Sequence, residues 1–139
     1  MKRREPVSKI MTENVWTVNI NDNLHEVVEL LKKRKIRHVP VLDGKEVCGI
    51  ISKTDVNRLT FSSLFDNQEG ADEAVLTMLS IPQVMTHKPR LVEADQPIKE
   101  VAEIFSKEEY HALPVIDQQG NLTGIVTTTD VIRYMLDQY

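Results

Sequence analysis

Two seven-residue segments have the side chains and the spacing to hold an anion beside a sugar diol. They are Gly49-Ile50-Ile51-Ser52-Lys53-Thr54-Asp55 and Gly124-Ile125-Val126-Thr127-Thr128-Thr129-Asp130. In each, an apolar run that reads as the end of a buried strand gives way, at a hydroxyl residue, to the start of a helix. The first turn of a helix leaves backbone N–H groups unpaired and carries partial positive charge. Such an end can hold phosphate. The hydroxyls of Ser52, Thr54, Thr127 and Thr129 can add hydrogen bonds, and the carboxylate of Asp55 or Asp130 can accept two from a ribose diol. The same spacing has a local use. Ser52-x-x-Asp55 and Thr127-x-x-Asp130 fit the helix capping box, with Asp in place of the usual Glu or Gln. One segment alone favours capping; two at matched positions move the balance toward a pair of related sites.

The match extends well beyond these segments. Ile10-Met11-Thr12 returns as Val84-Met85-Thr86, and His38-Val39-Pro40-Val41-Leu42-Asp43 returns as Ala112-Leu113-Pro114-Val115-Ile116-Asp117. The offset is constant up to Asp117 and one residue longer afterwards. The extra residue falls in the turn Asp117-Gln118-Gln119-Gly120-Asn121, where insertions are tolerated. One aligned position in three is identical, several times the chance level, so the chain contains a duplication.

Each copy needs the same elements to position its segment. Val15 to Val18 reads as a short strand. A helix follows, with Leu24, Val27, Val28 and Leu31 on one face and Ile98, Val101, Ala102 and Phe105 at the equivalent places. Asn23 with Glu26 suits a capping box, and Pro97 sits where a first helical turn tolerates proline. Two apolar runs come next, Val39–Leu42 and Val47–Ile51, joined at Asp43-Gly44; the second copy has Leu113–Ile116 and Leu122–Val126. Runs of this kind suit strands buried on both faces. A last helix begins near Ser52 or Thr127. The expected fold class is α/β: two tandem β-α-β-β-α units packed with pseudo-twofold symmetry, because two helices cannot cover both faces of one small sheet. The units are expected over 1–62 and 80–139. Residues 63–79 connect them, with a polar loop at Asp66-Asn67-Gln68-Glu69-Gly70 and a short helix over Ala71–Leu79.

Composition narrows the function. The chain has 139 residues, 41% hydrophobic and 27% charged, as expected for a soluble globular protein. A net charge of -4 argues against wholesale nucleic-acid binding, although a local basic patch remains open. No apolar segment has the length of a membrane span, and Met1-Lys2-Arg3-Arg4 is followed by Glu5, Pro6, Ser8 and Lys9 rather than by a signal-peptide core. The single cysteine, Cys48, lies in an apolar run and reads as a small buried hydrophobe. A cytoplasmic location is expected. No catalytic constellation is present: the four histidines are scattered without metal-ligand spacing, and no nucleotide-binding glycine loop occurs. No catalytic or metal-ligating residue is therefore expected.

Glycine, two apolar residues, Ser or Thr, two residues, then Asp resembles the signature of the cystathionine-β-synthase (CBS) domain. Lys35-Ile36-Arg37-His38-Val39-Pro40-Val41 and Tyr110-His111-Ala112-Leu113-Pro114-Val115 resemble that family's central strand. The resemblance runs from about Val7 to Tyr134, leaving out the stretch around 60–79. It implies a tandem CBS pair, or Bateman module: a regulatory sensor of adenine nucleotides (AMP, ADP or ATP, with S-adenosylmethionine possible), requiring no cofactor and catalysing nothing itself. By position, one cleft would combine Thr127, Thr129 and Asp130 with Thr17, Ile36, Arg37 and His38. The other would combine Ser52, Thr54 and Asp55 with Leu91, Tyr110, His111 and Ala112. The first has more cationic groups. Arg37 can grip phosphate in bidentate fashion, and His38 adds charge when protonated. It is expected to take phosphorylated ligands. The family also implies a homodimer formed through the CBS helices and a separate regulated protein. Other readings stay open: a ligand-free interaction scaffold, an S-adenosylmethionine-binding variant, or a nucleic-acid or membrane-surface partner using Lys32-Lys33-Arg34-Lys35 and the N-terminal basic residues. The basic run also suits a helix C-terminus, where cations favour the dipole. Trp16 reads as a packing or dimer contact, Tyr110 as a possible plug at a sheet edge, and His25, His87 and Glu108-Glu109 as surface residues.

Overall fold

A computed structural model describes residues 4–59 and 69–139. It divides into two compact units, one of residues 16–88 and the other of residues 1–15 with 89–139. The units thus exchange the leading segments of the sequence repeats. Ile10-Met11-Thr12 belongs with the second copy, and Val84-Met85-Thr86 with the first.

The unit of residues 16–88 is built on a four-stranded sheet in the order β1 (Val18–Asn19), β2 (His38–Asp43), β3 (Glu46–Ser52), β4 (Thr86–His87). β1 runs parallel to β2, and the other pairings are antiparallel. A parallel neighbour needs a crossover, which α1 (Leu24–Lys33) supplies. The i, i+3, i+7 residues Leu24, Val27 and Leu31 are all buried. Asn23 caps the helix, its side-chain oxygen accepting from the Glu26 backbone N–H at 3.1 Å. Gly44 makes the β2–β3 turn at a φ of 64°. α2 (Lys53–Asn57), α3 (Glu69–Met78) and α4 (Ile81–Val84) complete the unit. Its core joins Leu24, Val27, Val39, Val41, Ile51 and Ile81, each fully buried and worth about 1.5–3 kcal/mol against exposure.

The other unit has a three-stranded sheet in the order β5 (Val92–Glu93), β6 (Ala112–Ile116), β7 (Leu122–Thr127). α5 (Ile98–Lys107) crosses over between the parallel pair β5 and β6, and α6 (Thr128–Asp137) follows β7. Pro97 is the N-cap of α5. Thr12 makes an isolated antiparallel bridge with Ile125 and so stands where β4 stands in the first unit. The core joins Val7, Val92, Val101, Leu113, Val115 and Val126.

Two local features differ from the sequence reading. The first strand is Val18–Asn19 rather than Val15–Val18, because only Val18 and Asn19 find partners, in Val41 and Leu42. Glu69 and Gly70 belong to α3 and not to a polar loop. The rest of that loop, Asp66-Asn67-Gln68, lies outside the described residues. Trp16 is about half exposed, with the Arg34 guanidinium 4.1 Å over its ring. Among the described residues no helix is long and apolar enough to cross a membrane.

Candidate functional site

Both hydroxyl–carboxylate segments sit at a strand-to-helix junction, and both form complete capping boxes. Ser52 is the N-cap of α2. Its Oγ accepts from the Asp55 backbone N–H at 3.0 Å, and Asp55 Oδ2 accepts from the Ser52 N–H at 2.9 Å. Thr127 is the N-cap of α6, with Oγ1 accepting from the Asp130 N–H at 3.2 Å and Asp130 Oδ2 accepting from the Thr127 N–H at 2.9 Å. Capping therefore engages one oxygen of each carboxylate. Asp55 Oδ1 lies 4.0 Å from the Arg58 guanidinium. The four residues of the two boxes are half-buried, whereas Thr54 and Thr129 are exposed. The capping geometry holds each Asp in one orientation, so that its second oxygen can meet a ligand without a further ordering cost.

Strand pairing brings the start of each central strand beside the junction of its own unit. His38 is opposite Ser52, and the Arg37 carbonyl accepts from the Lys53 N–H at 2.7 Å. In the other unit Ala112 is opposite Thr127, and the His111 carbonyl accepts from the Thr128 N–H at 3.1 Å. Ile36–His38 thus adjoins Ser52–Asp55, and Tyr110–Ala112 adjoins Thr127–Asp130. Arg37 and His111 are exposed; Ile36 and Tyr110 are half-buried against the cores, and Ala112 is buried. Leu91 is half-buried just ahead of β5. Thr17 lies elsewhere in its unit from Ile36 and Arg37. It lines a depression with Asp22, Glu26, Glu29, Lys33 and Arg34. The Glu26 carboxyl there is held above the ordinary carboxylate range by desolvation and by Asp22 and Glu29. Three carboxylates make that depression a poor place for phosphate.

The repeat also had structural content that the sequence reading did not assign. Met85 packs over Gly49 and Met11 over Gly124, each from the leading segment that completes the sheet. A glycine inside a buried strand is the signal for such a close approach. Cys48 is half-buried, with its thiol donating to the Val41 carbonyl at 3.5 Å, and desolvation, with Asp43 and Glu46 nearby, pushes its pKa up. A raised pKa disfavours the thiolate, the nucleophilic form. Among the described residues no group of three His, Cys, Asp or Glu side chains converges as a metal would require.

The CBS domain model matches residues 7–61 and 81–137. The chain belongs to the CBS domain family. A CBS domain-containing protein of Dictyostelium discoideum is 27% identical over 132 residues, covering 94% of this chain and 90% of that one. The CBS-pair protein CBSX2 of Arabidopsis thaliana superposes with a TM-score of 0.81 at 24% identity, covering 96% of this chain and 95% of its own. CBSX2 has also been solved in complex with AMP. The CBS domain pair of the protein MJ0100, solved with 5′-methylthioadenosine and S-adenosyl-L-methionine, gives a TM-score of 0.75 at 26% identity, covering 94% of this chain and 99% of its own. The two-unit α/β architecture is that of these CBS pairs. The chain spans only 40%, 44% and 47% of the length of three Methanocaldococcus jannaschii relatives, and 23% of a homoserine O-acetyltransferase of Methanohalobium evestigatum. CBS pairs of this kind thus occur both in proteins of similar length and within longer ones.

Proposed function

We propose that this CBS pair is a regulatory module that binds an adenosine-containing ligand (AMP, ADP or ATP, with S-adenosylmethionine as the variant) and catalyses no reaction. The observation that carries the reading is the paired capping boxes, which orient Asp55 and Asp130 while leaving each a second oxygen. Solved relatives bind AMP, or methylthioadenosine with S-adenosylmethionine. In this reading Asp130, with Thr127 and Thr129 beside it in the same unit, accepts from the ribose. Asp55, with Ser52 and Thr54, forms the weaker or altered counterpart in the other unit. Regulation follows from linkage: the ligand shifts a conformational equilibrium by its difference in affinity for the two states. Calorimetric titration with AMP, ADP, ATP and S-adenosylmethionine tests this. Saturable binding of at least one is expected, and no binding of any would overturn the reading.

The module is further proposed to work as a cytoplasmic homodimer acting on a separate protein. Ile132, Met135 and Leu136 support the dimer. They form an exposed i, i+3, i+4 stripe on α6, a face that a second copy would bury. Light scattering should give a dimer mass for the wild type and a monomer mass for Ile132→Asp with Leu136→Asp. A monomeric wild type at working concentration would sink the dimer proposal.

A further inference from the structure

Trp16 and Arg34 meet at positions where the second copy has an ion pair. The Arg34 guanidinium lies 4.1 Å over the indole. The aligned residues are Arg90 and Glu108, whose side chains pair at 3.3 Å. In both units the contact ties a residue just ahead of the parallel edge strand to the end of the crossover helix. An ion pair serves that purpose in one unit, so the fold does not call for an aromatic ring in the other. The ring remains 44% exposed even with the guanidinium on it.

Arg34 also lines a depression of about 330 Å³, with Leu30 and the carboxylates Asp22, Glu26 and Glu29. Lys33 pairs with Glu29 at 3.6 Å. Among the described residues no cation pairs with Asp22 or Glu26. These two crowd each other: desolvation first, then Asp22 and Glu29, hold Glu26 above the ordinary carboxylate range. A cation placed there would relieve the repulsion. The fold does not demand the charge at Asp22 either. Asp22 accepts from the Asn19 N–H at 2.8 Å. In the second copy the neutral amide of Gln96 accepts from the Glu93 N–H at 3.2 Å, the same bond at the aligned positions. Glu26, Glu29 and Lys33 recur there as Glu100, Glu103 and Lys107. The first copy therefore differs by an added carboxylate and an exposed ring, which Arg34 brings together.

Tryptophan and arginine are the anchors that protein interfaces concentrate, and the uncompensated carboxylates set the sign of the partner. We propose that this face docks a basic segment of a partner protein. A lysine or arginine of the segment enters the depression, and the carbon stems of its side chains pack on Trp16. The face lies within the unit of residues 16–88. It uses none of the residues assigned to the adenosine site or to the α6 stripe, and it stands whether or not those two proposals hold.

Trp16 is the only tryptophan of the chain, so intrinsic tryptophan fluorescence reads this face. The test is titration of the full chain with tri-arginine amide at low and moderate salt. A saturable change in emission that weakens with salt is expected, and tri-glutamate should produce none. Asp22→Gln, the residue of the second copy, should weaken binding by about threefold. Trp16→Arg with Arg34→Glu installs the second copy's ion pair; it should weaken binding, read by calorimetry, by about tenfold or more. Absence of a saturable change, an equal response to tri-glutamate, or wild-type affinity in both variants would overturn the proposal. So would a fall from dimer to monomer mass in the Trp16→Arg/Arg34→Glu variant, which would assign the face to a second copy of the chain.

Discussion

Gly124→Ala should destabilise the protein by about 1–3 kcal/mol, the usual cost of overpacking a filled site. A Cβ at Gly124 would stand 2.8 Å from the Thr12 carbonyl oxygen and 2.5 Å from Met11 Sδ. The sulfur is at the flexible end of a side chain and can move. The carbonyl cannot, because it accepts from the Ile125 N–H at 2.9 Å and helps tie the leading segment to β7. At Gly49 the three nearest atoms to an added Cβ all belong to the Met85 side chain, and methionine repacks readily. Gly49→Ala should cost less than Gly124→Ala. Urea denaturation of both variants checks the order. Gly124→Ala within about 0.5 kcal/mol of wild type, the range of an ordinary surface change, would contradict the packing account.

The second large effect is at Asp130, where two roles can be separated. Asp130→Ala removes the acceptor for the Thr127 N–H and the negative charge at the start of α6. Together these are worth about 1–2 kcal/mol. Asp130→Asn keeps an acceptor oxygen and loses only the charge. Without ligand the expected order of stability is wild type, then Asn close behind, then Ala. With an adenosine ligand both variants should bind more weakly, since a hydrogen bond to a charged group is worth about 1.5–3 kcal/mol. A variant that melts like the wild type yet binds at least about tenfold more weakly would separate recognition from folding. If Asp130→Asn bound as well as wild type, the carboxylate would be a cap and nothing more.

Much of this was legible in the sequence, because each copy repeats strong local signals. The apolar faces of α1 and α5, the four long strands and both capping boxes follow from spacing and side-chain chemistry alone. The duplication made each reading a check on the other. The unit boundaries were harder. Met11-Thr12 and Met85-Thr86 look like the first residues of their own copies, and only the long-range bridges to Ile125 and Ile50 reassign them. Gly49 and Gly124 carried the clue, since a strand interior rarely favours glycine. The short strand after Trp16 was misplaced because its pairing depends on two residues of β2, which no local pattern reveals. For the candidate site, the two strand-to-helix segments were legible in the sequence, whereas which side chains share a depression was not. Sequence grouping joins Thr17 to Arg37, whereas their side chains line different depressions.

The central claim is that an adenosine ligand is held through Asp130. Thermal melting of the wild type, Asp130→Asn and Asp55→Asn with AMP, ADP, ATP and S-adenosylmethionine tests it most directly. A ligand at a hundredfold excess over its Kd should stabilise the wild type by about 2.7 kcal/mol. The account predicts that this shift survives Asp55→Asn and largely disappears in Asp130→Asn. No shift with any of the four compounds, or an equal shift in all three proteins, would contradict it.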